Sequence, residues 1–146
     1  MVLPSDHRRS LTFFLIKRTN DMSKKHILIV DDEAALRQVL EDRLLDEGFI
    51  VTKAVNGKEG LSLALEKRPD LILLDIMMPI MDGLTMLEDL RRDNEYGNSV
   101  PVILLTNIND HDKVERARAA GSHDCLMKSD WDLSDVLKKI RAILTV

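Results

Sequence analysis

His26-Ile27-Leu28-Ile29-Val30-Asp31-Asp32 and Leu71-Ile72-Leu73-Leu74-Asp75 are built alike: a short continuous apolar run that ends in acid. Two later runs end in other polar groups, Val102-Ile103-Leu104-Leu105 at Thr106 and Cys125-Leu126-Met127 at Lys128. Continuous apolar runs of this length, separated by helix-length amphipathic stretches, read as strands buried on both faces of a parallel sheet. Ligands of such sheets bind at the carboxyl ends of the strands. One sheet edge is therefore expected to gather three acids, a hydroxyl and an amine.

That gathering has a chemical consequence. Two carboxylates about 4 Å apart repel by roughly 4 kcal/mol at an effective dielectric near 20, so converging acids shift their pKa values or recruit a cation. Oxygen-only ligands favour a hard ion, Mg²⁺ first. A partly open Mg²⁺ beside a carboxylate nucleophile, a hydroxyl donor and an ammonium suits phosphoryl transfer, with the carboxylate attacking in line.

The rest of the chain fits an alternating α/β pattern. Strands are expected near His26–Val30, Ile50–Lys53, Leu71–Leu74, Val102–Leu105 and Asp124–Met127, and helices near Glu33–Asp46, Lys58–Glu66, Gly83–Asp93, Asp110–Ala120 and Leu133–Leu144. Leu36, Val39, Leu40 and Leu44 form one apolar stripe at helical spacing; Leu133, Val136, Leu137, Ile140 and Leu144 form another. Gly48 and Gly121 stand where a left-handed residue ends a helix, and Asp110 and Asp132 where a side chain caps one. The Arg91-Arg92 pair reads as a solvated helix end.

The order Val30-Asp31-Asp32-Glu33, then Leu74-Asp75-Ile76-Met77-Met78-Pro79 with Asp82-Gly83, then Leu105-Thr106, then Ala119-Ala120-Gly121 leading to Lys128, strongly resembles the receiver domain of bacterial two-component response regulators. The resemblance runs from about Lys24 to the C-terminus. It implies a flavodoxin-like, doubly wound five-stranded parallel sheet of order 2-1-3-4-5. It also implies site roles: Asp75 as phosphoacceptor, Asp32 binding Mg²⁺ directly and Asp31 through water, and the backbone carbonyl of Met77 as a further ligand. Thr106 would hydrogen-bond the phosphoryl group and Lys128 would pair with one of its oxygens. The implied phosphodonor is the phosphohistidine of a sensor kinase or phosphotransfer protein.

Three positions depart from the family pattern. Cys125 stands where receivers usually carry an aromatic, Ser129 where they carry proline after the lysine, and Asn107 where they carry a smaller residue. A cis bond before a non-proline residue costs about 3 kcal/mol, so the Lys128–Ser129 bond is expected to be trans. The first two departures favour an alternative reading, a receiver-like interaction module that works without phosphorylation.

Composition agrees with a receiver. With 146 residues, 45% hydrophobic and 32% charged, the chain suits one globular domain. A net charge of −4 gives no basic footprint, so no direct contact with nucleic acid is expected. One cysteine cannot make an internal disulfide, and a reducing cytoplasm is the simplest setting. Residues 24–146 are read as the domain, a stand-alone receiver that signals through an unidentified output partner, and residues 1–23 as a flexible extension. Within the extension, Leu11-Thr12-Phe13-Phe14-Leu15-Ile16 is too short for a membrane span and is closed by Lys17-Arg18. A docking segment using Phe13 and Phe14 is the alternative.

Overall fold

The computed structural model describes residues 24–107, 111–128 and 132–145. Five strands, β1 (His26–Val30), β2 (Ile50–Ala54), β3 (Leu71–Leu74), β4 (Val102–Thr106) and β5 (Asp124–Met127), form one parallel sheet of order β2-β1-β3-β4-β5. Five helices alternate with them: α1 (Ala34–Asp46), α2 (Gly57–Lys67), α3 (Gly83–Arg91), α4 (His111–Ala119) and α5 (Leu133–Leu144). The doubly wound α/β order anticipated from the resemblance is the one observed.

Burial follows position in the sheet. β3 and β4 are buried along their whole length and β1 beyond His26, whereas the edge strands β2 and β5 are mostly half-exposed. Leu28, Val30, Ile72, Leu74, Val102 and Leu104 face one core, which α2, α3 and Ala117 of α4 cover. Ile27, Ile29, Leu71, Leu73, Ile103 and Leu105 face the other, closed by Leu40 and Leu44 of α1 and by Val136, Leu137 and Ile140 of α5. Alternation along each strand sends successive side chains to opposite layers.

Helix ends follow local hydrogen bonding. Asn56 accepts the Glu59 N–H, Asp82 the Thr85 N–H, and Asp132 and Asp135 form a reciprocal capping box. Gly48 and Gly121 adopt φ of +92° and +86°, as their helix-ending places anticipate. α3 stops at Arg91, short of the anticipated Asp93, because the Asp93 carboxylate accepts the N–H groups of Tyr96 and Gly97 and starts a turn.

Two expectations are corrected. Val39 is 47% exposed. The inward stripe of α1 runs through Leu36, Leu40 and Leu44 at intervals of four, and Val39 falls on its flank. Arg91 is not a solvated helix end: its guanidinium donates to the carbonyls of Gly97 (2.7 Å), Val100 (2.8 Å), Ala120 (2.9 Å) and Gly121 (2.7 Å). Arg92 does point to solvent, paired with Asp89. The expectations for residues 1–23, the Asp110 cap and the Lys128–Ser129 bond lie outside the described residues.

Candidate functional site

Strand register builds the site. Val30 of β1 lies beside Leu74 of β3, so Asp31 and Asp75 leave the sheet side by side. Thr106 lies beside Met127, and the next residue, Lys128, donates its backbone N–H to the Thr106 carbonyl at 2.8 Å. The three acids, the threonine and the lysine expected at one edge are all at the carboxyl edge of the sheet.

Their side chains form a charged cluster. Lys128 Nζ lies 2.7 Å from Asp31 Oδ2, 3.4 Å from Asp75 Oδ2 and 3.7 Å from Glu33 Oε2. Asp31 and Asp75 are only 2% and 5% exposed, while Asp32 faces solvent. Burial pushes the Asp75 carboxyl up to about 6; Lys128 opposes this and Asp31 adds to it. Burial disfavours the Lys128 charge, but the hydrogen bond and the charge of Asp31, together with Asp75, more than offset it and hold the amine protonated.

The surrounding residues fix this arrangement. Asp31 Oδ1 accepts the Glu33 N–H at 2.9 Å, and the Asp31 carbonyl accepts from Arg37 at 2.7 Å. The Met77 backbone favours the charged form of the Asp75 carboxyl slightly. Where the loop after Asp75 turns into α3, Gly83 packs so tightly that a Cβ there would lie 2.0 Å from the Asp75 carbonyl oxygen. In the same loop Ile80 holds a left-handed φ of +71°, a conformation that disfavours β-branched residues.

An open cavity of about 380 Å³ lies over the cluster, walled by Asp32, Glu33, Asp75, Met77, Asn107 and Lys128. Asn107 forms part of its wall, and Thr106 is fully buried at the end of β4. Glu33 joins the cluster through Lys128, a role the resemblance does not imply. Its place directly after the Asp31-Asp32 pair was the available signal.

The cluster fits a small hard cation. Asp31, Asp32 and Asp75 each offer a carboxylate oxygen, all within 4.8 Å of one another.

Comparison with known proteins agrees with this geometry. Residues 27–141 match the response regulator receiver domain. The chain belongs to that family. Its receiver is 41% identical over 123 residues to an uncharacterized transcriptional regulatory protein, YkoG, of Bacillus subtilis, covering 84% of this chain and 52% of that protein. It is 38% identical over 119 residues to the DNA-binding dual master transcriptional regulator RpaA of Synechocystis, covering 81% of this chain and 48% of that one. A CheY-like receiver domain protein from Methanospirillum hungatei superposes with a TM-score of 0.78 at 30% identity, covering 84% of this chain and 94% of that chain. A chain of the CheX–CheY–BeF₃–Mg²⁺ complex of Borrelia burgdorferi superposes with 0.73 at 26% identity, covering 82% and 88%.

The chain spans about half the length of the curated relatives it matches. Receiver domains are signalling proteins rather than classical enzymes, and their family uses Mg²⁺ at an acidic pocket. The expectation of no direct contact with nucleic acid finds no support here, because one relative is named as DNA-binding. Among the described residues, no helix is long and apolar enough to cross a membrane.

Proposed function

We propose that this receiver accepts a phosphoryl group from the phosphohistidine of a sensor kinase or phosphotransfer protein onto Asp75, and signals through a partner surface or a phosphorelay. An Asp75 carboxylate oxygen would attack phosphorus in line as the P–N bond to the donor imidazole breaks, and the imidazole would leave with a proton. Lys128 would pair with a phosphoryl oxygen and Thr106 would donate a hydrogen bond to another. Asp31, Asp32, Asp75 and the Met77 carbonyl would hold Mg²⁺, which when bound supplies positive charge against the acids and the phosphoryl oxygens. The unit that does this is taken as residues 24–146, working in the cytoplasm.

The observation that carries the reading is the one ammonium shared by Asp31 and Asp75, at 2.7 and 3.4 Å, beneath an open acidic cavity. Such a site is short of positive charge and has room for both a cation and a phosphoryl group. Incubation with a small acyl-phosphate donor and Mg²⁺, followed by intact mass, tests it. The parent should gain one phosphoryl group, and chelation of the metal should prevent the gain. An unchanged mass under all conditions would favour the phosphorylation-independent module.

Cys125 bears on how the signal would spread. It is half-buried against the α3-side core, beside a cavity of about 270 Å³ that Val114, Arg118 and His123 also line. A small thiol offers no ring to swing inward, so phosphorylation should act mainly through Thr106 and the loop before α4. Amide exchange with and without a phosphoryl mimic checks this, and large changes centred on β5 would contradict it.

A further inference from the structure

β2 is an edge strand with an apolar surround. Ile50 and Thr52 stand on the face that Ala54 shares with the α2-side core, yet Ile50 is 48% exposed. Leu45 in the last turn of α1, Val55 just after β2 and Leu65 in α2 are also exposed, so four of the seven large exposed apolar residues among the described residues lie in or near this strand. The Ile50 N–H donates to the Lys25 carbonyl and the Ala54 carbonyl accepts from Asp31, so the even-numbered residues bond to β1. The N–H and C=O groups of Val51 and Lys53 therefore face the outer edge, which pairs with no strand among the described residues. An edge of this kind is a template for another strand.

We propose that Leu11-Thr12-Phe13-Phe14-Leu15-Ile16 of this same chain docks antiparallel along the outer edge of β2. The segment is uncharged and rich in the aromatic and β-branched residues that favour strands. Reach selects the direction. The eight steps from Ile16 to Lys24 span at most about 27 Å, and the two strand spacings from the new position to β1 amount to roughly 10 Å. An antiparallel strand ends beside the start of β1, within easy reach; a parallel one would end at the far side of the sheet, roughly 20 Å away, and demand a largely extended linker.

Acidic groups are also present at that end, beside Lys67 and Arg68. Lys17-Arg18 would lie where the helices run out, next to Asp46 at the end of α1 and Glu66 near the end of α2. Both carboxylates are exposed and make no ion pair with another described residue. The docked segment would cover the apolar fringe and close the edge to other chains.

Residue-resolved amide exchange on the full chain tests the proposal. Val51 and Lys53 should exchange at least about tenfold more slowly in the parent than in the Phe13→Asp, Phe14→Asp double variant. Thr52 and Ala54, bonded to β1, should not change, which also shows that the variant is folded. Lys17→Glu with Arg18→Glu should weaken the same two protections in part. Equal rates at Val51 and Lys53 in parent and Phe variant would overturn the proposal. So would protection that rises with protein concentration and survives the substitutions, which would assign the edge to a second copy.

Discussion

Two cations sit at opposite ends of the sheet, and their surroundings differ. Arg91, at the amino end of β4 and β5, donates to four backbone carbonyls and is satisfied within the chain. Lys128, at the carboxyl end, faces Asp31, Asp75 and Glu33, with Asp32 alongside. The first end holds a cation against neutral dipoles and has nothing left to bind. The second holds several acids against one ammonium, and burial, with Asp31 adding to it, raises the Asp75 carboxyl to about 6. Completed hydrogen bonding marks a structural cation; incomplete charge balance marks a site that waits for ligands.

The sharpest way to break this comparison is to substitute at each end and read both stability and phosphoryl uptake. Asp75→Asn should abolish uptake while leaving the protein folded, as intact mass and circular dichroism would report. Arg91→Met should do the reverse. Four carbonyls lose charged donors, some without replacement by water, and urea unfolding should show a loss of roughly 4 kcal/mol. Uptake per folded molecule should be unchanged, and a parallel fall would mean that the two ends are coupled.

A third prediction uses pH. The Asp75 carboxyl is raised in the folded protein, so folding favours its protonated form, and the associated stability is full below about 4 and lost as pH rises through about 6. In chelator, Asp75→Asn removes that loss and should stabilise the protein at pH 8 by up to about 3 kcal/mol. Urea midpoints should converge as pH falls to 4. Mg²⁺ should narrow the gap at pH 8, because it binds the charged parent more tightly than the variant.

The smallest effect concerns persistence. Met77 walls the cavity with an exposed apolar side chain, and Ile108, outside the described residues, is the position two after Thr106. Neither can orient water by hydrogen bonding, so the acyl phosphate should decay slowly. Met77→Asn with Ile108→Glu should shorten its lifetime several-fold without reducing uptake. Equal decay rates would remove Met77 from the account.

The two ends also differ in how far the sequence reveals them. The carboxyl edge was legible because each of its residues directly follows a continuous apolar run, and parallel strands bring such positions together without further information. Asp31, Asp32, Asp75, Thr106 and Lys128 needed only the strand pattern to be grouped. The Arg91 clamp was not legible. Its acceptors are bare carbonyls from the loop before β4 and the turn before β5, up to 30 residues away, and carbonyls carry no side-chain signature. Val39 was misplaced for a related reason: periodicity gives a stripe its centre, but packing sets its width.

The claim that Asp75 is the acceptor is tested most directly by locating the phosphoryl group. After phosphorylation with a small donor and Mg²⁺, borohydride reduction converts an aspartyl phosphate to homoserine, which peptide mass spectrometry can place. The account predicts homoserine at position 75 alone, and none without the metal. Homoserine at position 31 or 32, or an equal yield in the presence of chelator, would contradict it.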